Sequence, residues 1–369
     1  MSRLVVLFVM LWAPIGSWAH EIQPAVADLI IEGDEVTIDI EMALEAPLAG
    51  IDLDGLTDTN DAENTDDYDA LRALEPNALA QRLQDVWPDL SQKITLRAGD
   101  TALTPELSTV EVPPIGDVEL ARSSRVTVTA ALPQDGSALT FGWTADLGAL
   151  VVRQQGVEDG YTAYLSGGEL SVPIPRGGGG AQSWLQSFVQ YVGIGFEHIV
   201  PKGLDHILFV LGLFFLSVKL GPLLWQVSAF TLAHTVTLAL GILGIVTIPA
   251  SIVEPLIAAS IVYVGVENVL ARGLTPWRPV VVFCFGLLHG LGFASVLGDI
   301  GLDPARFVTG LIGFNIGVEL GQLAVIAVAF LAVGLWFRKK PWYRARIATP
   351  ASVAIALVGA WWVVERTLL

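Results

Sequence analysis

Polar and apolar positions change their rhythm near residue 180. Residues 27–44, ADLIIEGDEVTIDIEMAL, alternate around Gly33-Asp34, the pattern of a β-hairpin with one buried face. Further strand-like runs fall at 93–97, 125–132, 138–144, 149–153 and 161–172. Between 69 and 86 the apolar spacing becomes helical, and Pro76 marks a break or a fresh first turn. Short strands punctuated by Gly and Pro, with one helical excursion, predict an N-terminal β-sandwich-like domain.

Beyond this point the runs are long and apolar, at about 204–220, 223–246, 249–271, 279–298, 305–337 and 347–365. Each reaches or approaches the roughly 20 residues that cross a hydrocarbon core. Residues 184–200 are apolar but shorter and end at Pro201. Loop charge separates two topologies. If 184–200 does not span and the β domain is outside, Lys219, Arg272, Arg278, Arg338, Lys339, Lys340, Arg344 and Arg346 all fall on the cytoplasmic side, with Lys202 and Arg306 outside. A seventh span would turn the basic loop 338–346 outward, against the positive-inside rule. The expectation is therefore an α-helical membrane bundle of six spanning helices plus one short half-inserted helix; seven spans is the alternative.

Composition adds location. At 53% apolar residues and a mean hydropathy of +0.60, the chain exceeds the norm for soluble proteins. Residues 1–19 carry Arg3, an apolar core and Ser17-Trp18-Ala19, the form of a cleavable secretory signal. The expected division is a signal peptide (1–19), an acidic β-rich periplasmic domain (20–175), a Gly-rich linker (176–182) that reads as a flexible hinge, and a polytopic domain (183–369) in a bacterial inner membrane. Residues 20–176 hold 29 Asp or Glu against 8 Lys or Arg, a balance of −21, while the rest is +4, together −17. Such acidity argues against nucleic acid and suits a surface that meets cations. The acid-crowded stretch 50–69 does not have the spacing of a helix-loop-helix calcium site and reads as a solvated loop. The single cysteine, Cys284, excludes an intrachain disulfide and reads as a small buried residue. His20 would be the first residue after cleavage, where its amine and imidazole together could chelate an ion.

The chemistry lies in the apolar half. Every histidine except His20 is there: His198, His206, His234 and His289, together with Asp205, Glu254, Glu267 and Glu319. Each acid near a bilayer centre costs about 2.5–3.5 kcal/mol on insertion scales, so several in one bundle imply a polar interior or a bound cation. Between 307 and 330, Gly310, Gly313, Gly317 and Gly321 form a small-residue stripe for close helix approach. Asn315 and Glu319, with Gln322, lie roughly opposite. Thr231 shares a face with His234, and Gly286 and Gly290 flank His289. Glu267, near Arg272, reads as an interfacial charge. Imidazoles and carboxylates without thiolates suit nickel, cobalt, zinc, iron or manganese rather than copper(I), and the mature chain keeps one methionine, Met42. No phosphate-binding glycine loop with its lysine occurs, so ATP hydrolysis is not expected.

GFEHIVPKGLDHILF, FTLAHTVTL, VEPLIAASI, FGLLHGLGFA and FNIGVELGQ, spread over roughly 190–330, resemble the HupE/UreJ family of hydrogenase and urease accessory membrane proteins, in its longer branch with a periplasmic domain. The resemblance implies a nickel or cobalt permease. It implies that His198, Asp205 and His206 are a signature metal-binding group, and that His234, Glu254, His289 and Glu319 belong to later motifs.

The expected function is membrane transport of a divalent transition metal ion, nickel or cobalt before zinc, from periplasm to cytoplasm. The expected metal-binding residues are His198, Asp205, His206, His234, Glu254, His289, Asn315 and Glu319. The expected partners are the lipid bilayer, the ion, and a periplasmic metal donor or a cytoplasmic metallochaperone. Two other classes stay open: an intramembrane zinc-dependent hydrolase, and a non-transporting metal sensor or assembly factor.

Overall fold

A computed structural model of the chain describes residues 22–56, 59, 62–116, 118, 121–180, 183–271, 273, 275–292 and 307–368. The signal-like start, His20, Arg272 and Arg306 lie outside the described residues.

The hairpin read at 27–44 is β1 (Ala25–Glu32) and β2 (Glu35–Ala43), paired antiparallel from Val26–Glu41 to Glu32–Glu35. Gly33 takes a φ of 59° in the turn, a conformation that costs a residue without a Cβ nothing. Three short helices follow, α1 (Glu45–Ala49), α2 (Thr65–Arg72) and α3 (Pro76–Leu90). Part of the acidic stretch is thus helical, and Pro76 opens α3 as a first-turn proline, where its missing N–H costs nothing. Then come β3 (Ile94–Ala98), β4 (Thr101–Ala102), β5 (Glu106–Glu111), β6 (Ser123–Ala131), β7 (Leu139–Trp143), β8 (Leu150–Gln155) and β9 (Thr162–Leu165). One sheet has the order β5-β6-β2-β1-β8-β9, the other β4-β3-β7. Both sheets share one core, with Leu29, Ile38 and Val152 from the first, Phe141 and Leu96 from the second, and Leu79 and Leu83 from α3. The edge strand β5 and the parallel pairing of β1 with β8 are additions to the sequence reading. The run 161–172 is strand only in its first part; Gly168, at φ 82°, turns the chain away.

The linker begins as part of the β region. Arg176 donates to the carbonyls of Ser137 (2.7 Å) and Pro133 (2.8 Å), and the Gly179 N–H to that of Asp159 (3.1 Å). A free hinge therefore does not start at 176.

The helical part comprises α4 (Trp184–Ile199), α5 (Leu204–Leu216), α6 (Leu220–Ile242), α7 (Ala250–Leu270), α8 (Arg278–Gly292), α9 (Phe307–Phe337) and α10 (Arg344–Thr367). Four of these, α6, α7, α9 and α10, are long and apolar enough to cross a membrane, and the α4–α5 pair, bent by 73°, makes five if it is one span. Of the six expected spans, the one at 204–220 is shorter than expected: the 13 residues of α5 rise only about 20 Å at 1.5 Å per residue, short of a ~30 Å core. For the run at 279–298 the described helix is Arg278–Gly292, and residues 293–298 lie outside the described residues.

The bundle exposes apolar side chains on its outside, and between its helices buried polar side chains stand beside an apolar core that includes Phe209, Phe214, Phe230 and Ile261. Along α6, Leu232 and Val236 are exposed while Thr231 and His234 are buried, as expected when lipid rather than water surrounds a helix. Cys284 also faces outward, contrary to its reading as a buried residue. The β region rests on one end of the bundle: Val26 and Val151 share an apolar cluster with Ile199, Leu238 and Phe314, and Gln190 donates to the Tyr164 carbonyl at 2.6 Å.

Candidate metal centre

The site is assembled at a break. Ser183 caps α4 through a reciprocal exchange with Gln186, and the helix runs to Ile199 before the Pro201 turn. Pro201 has no N–H to continue the helix. The chain restarts at Leu204, passing so close to the His198 carbonyl that a side chain on Gly203 would strike it. This tight return sets the rings of His198 and His206 4.9 Å apart, centroid to centroid.

Glycine brings the other ligand helices in. The expected stripe on α9 is occupied by α4: a Cβ on Gly313, Gly317 or Gly321 would run into Phe188, Val192 or Ile199 respectively. On α8, Gly286 and Gly290 lie against the backbone of Phe230 and His234 in α6. Small residues thus let backbones meet where hydrocarbon offers no hydrophobic drive to helix association. His289 consequently lies 4.8 Å from His206, and His234 5.9 Å, centroid to centroid.

The hydrogen bonds settle which imidazole nitrogen is offered. The Asn315 amide nitrogen donates to the Leu311 carbonyl at 2.8 Å, which turns its oxygen toward His234 Nδ1, 3.1 Å away. The oxygen can only accept, so His234 Nδ1 carries the proton and Nε2 the lone pair. Asp205 Oδ1 stands 3.0 Å from His206 Nδ1, and also accepts the His206 backbone N–H at 2.7 Å. His289 Nδ1 is 3.1 Å from the Phe285 carbonyl. A carboxylate, an amide oxygen and a main-chain carbonyl thus each hold one ring by Nδ1 and direct the lone pair to Nε2, the arrangement that orients metal-binding histidines. The Nε2 atoms of His206, His234 and His289 are buried and have no hydrogen-bond partner among the described residues. Leaving such an acceptor unmet costs about 1–3 kcal/mol. His198, His206 and His234 each offer a nitrogen within 4.8 Å of the others.

The remaining predicted residues fall around this nest. Asp205 and Asn315 hold rings. Glu254 is half-buried at the start of α7, within Coulombic range of Asp205. Glu319 accepts from Ser228 Oγ at 2.6 Å. The four histidines form one locus. Thr231, on the His234 face of α6 as expected, donates to Gln322 Oε1 at 3.2 Å. Two arginines packed among the helices were not singled out from sequence. Arg366, at the end of α10, donates to the Glu254 carbonyl at 3.2 Å. Arg278, counted above as a loop charge, is buried and pairs with Glu267 at 2.7 Å. A cation in a loop and a cation sealed between helices look alike in a sequence.

A helical domain with several membrane-length apolar helices, and four imidazoles gathered among them, defines a multi-pass membrane protein with an interior histidine cluster. Residues 179–366, just over half of the 369, match the family model described as HupE / UreJ protein, and the chain belongs to that family. No curated protein matches the chain.

Proposed function

We propose that this protein carries a divalent transition metal ion, nickel or cobalt, from the periplasm to the cytoplasm. The observation that carries the reading is the convergence of the buried imidazoles of His206, His234 and His289, whose Nε2 lone pairs have no partner among the described residues. Neutral nitrogen donors suit nickel, cobalt and zinc. With Asp205 and Glu254 as the nearby carboxylates, a divalent charge is offset without a cage of anions, so the ion is held and can still leave. The family's accessory and permease-like role supports the same reading.

In this proposal the β region lies in the periplasm after removal of residues 1–19, and α5 and α8 complete the six crossings in an inner membrane. The basic residues 338–346 then face the cytoplasm, as the positive-inside rule favours. The nest is the outer site, under the acidic β region that collects the ion or receives it from a donor. The polar pair Thr231–Gln322 continues the route inward.

The test is uptake of radioactive nickel by proteoliposomes carrying the full chain. His206→Ala and Asp205→Ala are expected to reduce uptake at least tenfold, the usual scale for losing a ligand or its orienting partner. Uptake that survives both changes would refute the assignment.

A further inference from the structure

The helices that carry the histidines at one end carry a second polar layer at the other. Gln226 precedes His234 by eight positions on α6, and Arg278 precedes His289 by eleven on α8, so the layers stand about 12–16 Å apart along the helices. Arg278 is 2% exposed. Its guanidinium donates to Gln226 Oε1 (2.9 Å), Glu267 Oε2 (2.7 Å) and Asn268 Oδ1 (3.3 Å), tying α6, α7 and α8 together. Asn268 extends the tie by donating to the Gly212 carbonyl of α5 (2.7 Å) and to Ser352 Oγ of α10 (3.0 Å). Arg344 adds bonds to the carbonyls of Asn268 and Ala271. Five helices are thereby joined in one plane around a fixed positive charge.

We propose that Arg278, with Glu267, Gln226 and Asn268, is the inner seal of the cation route. A buried guanidinium repels a metal ion descending from the histidines, and its three acceptors are oxygens that a cation could engage in its place. Opening then means that Arg278 leaves Glu267 and Gln226, an exchange of one cation for another at the same oxygens. Buried charge that only anchored packing would be a poor choice, because apolar residues of the same volume often stabilise as well or better. The identity of the ion rests on the transport reading above; the existence of the seal does not.

The experiment uses the full chain in sealed vesicles, with Cys284→Ser removing the native thiol and Thr231→Cys placing a reporter between the two layers. A membrane-impermeant cationic methanethiosulfonate is applied to each face in turn. From the face nearer Arg278, labelling is expected to be slow in the parent and about tenfold faster in Arg278→Gln, the scale of losing a hydrogen bond to a charged group. Arg278→Lys, which keeps the charge, should stay near the parent rate. Glu267→Gln, which frees the arginine from its carboxylate, is the second variant and should also speed labelling. Unchanged rates in both Arg278→Gln and Glu267→Gln, or equal acceleration by Gln and Lys at position 278, would reduce the layer to a packing anchor and overturn the proposal. Labelling requires no metal flux. A chain that labels as expected yet moves no nickel would sink the transport reading and leave the seal standing.

Discussion

His234 and Asn315, on helices that adjoin only through the fold, meet at 3.1 Å, and the amide oxygen of Asn315 determines which nitrogen of the histidine is free. The amide itself is held by the Leu311 carbonyl one turn away. Asn315→Leu keeps the volume and removes the acceptor, so the ring can rotate or change tautomer. Nickel affinity, measured by competition with a chromophoric chelator, is expected to fall about 10–100-fold. Asn315→Asp, which still accepts, should lose far less.

The glycine stripe on α9 predicts a positional effect on the metal centre. Gly317 faces the Val192 carbonyl with no room for a methyl group, whereas a Cβ on Gly193, in α4 itself, would enter open space with no atom within 4 Å. Gly317→Ala should push α4 off α9, displace His198, and destabilise the protein by about 1–3 kcal/mol, as overpacking does. Gly193→Ala should be neutral or slightly stabilising, since alanine favours helix. Thermal unfolding in detergent, with and without nickel, compares the two.

In the β region, Glu45 and Arg122 form a fully buried ion pair at 2.8 Å, and the arginine also bonds the Leu74 carbonyl at 2.9 Å. Arg122→Leu strands the carboxylate and is expected to cost about 3–5 kcal/mol. The double change Glu45→Gln with Arg122→Leu should recover part of that loss. Arg125→Ala, which removes a solvent-exposed partner of Glu41, should leave the unfolding midpoint where it was.

Three tyrosines of the β region make an alkaline prediction. Burial, aided by Glu45, Glu169 and Glu197 respectively, pushes Tyr68, Tyr161 and Tyr164 up to about 12 from an ordinary 10. The folded state then holds these protons more tightly than the unfolded one. The associated stability is complete below about pH 10 and is lost as pH rises toward about 12. Phenolate absorbance in the near ultraviolet should show a late phase near pH 12, and each Tyr→Phe change should remove part of its amplitude.

Much of the molecule was legible along the chain because short-range patterns report on it directly. The alternation around Gly33 specified a hairpin, and of the two readings left open at Pro76, a break or a first turn, the structure has the first turn. The glycine spacing at 313, 317 and 321 announced a close helix contact, and imidazoles in apolar runs announced polar groups that gather in the interior. These readings depend on periodicity and on the cost of polar groups in hydrocarbon, both properties of local sequence. The helix length available to each apolar run was not so legible, since α5 ends short of what its hydropathy suggested.

What only the tertiary structure decided is which residues meet. The chain does not reveal that α4 is the partner of the glycine stripe, that His206 and His289 become neighbours, or that Glu319 bonds Ser228. Nor does it separate Arg278, sealed among three oxygens, from the cations of the surrounding loops. Composition and spacing say that a polar group in an apolar run must find a partner. The choice of partner belongs to the packing of helices, because desolvation penalises every unmet group alike and only geometry determines which of them can be met.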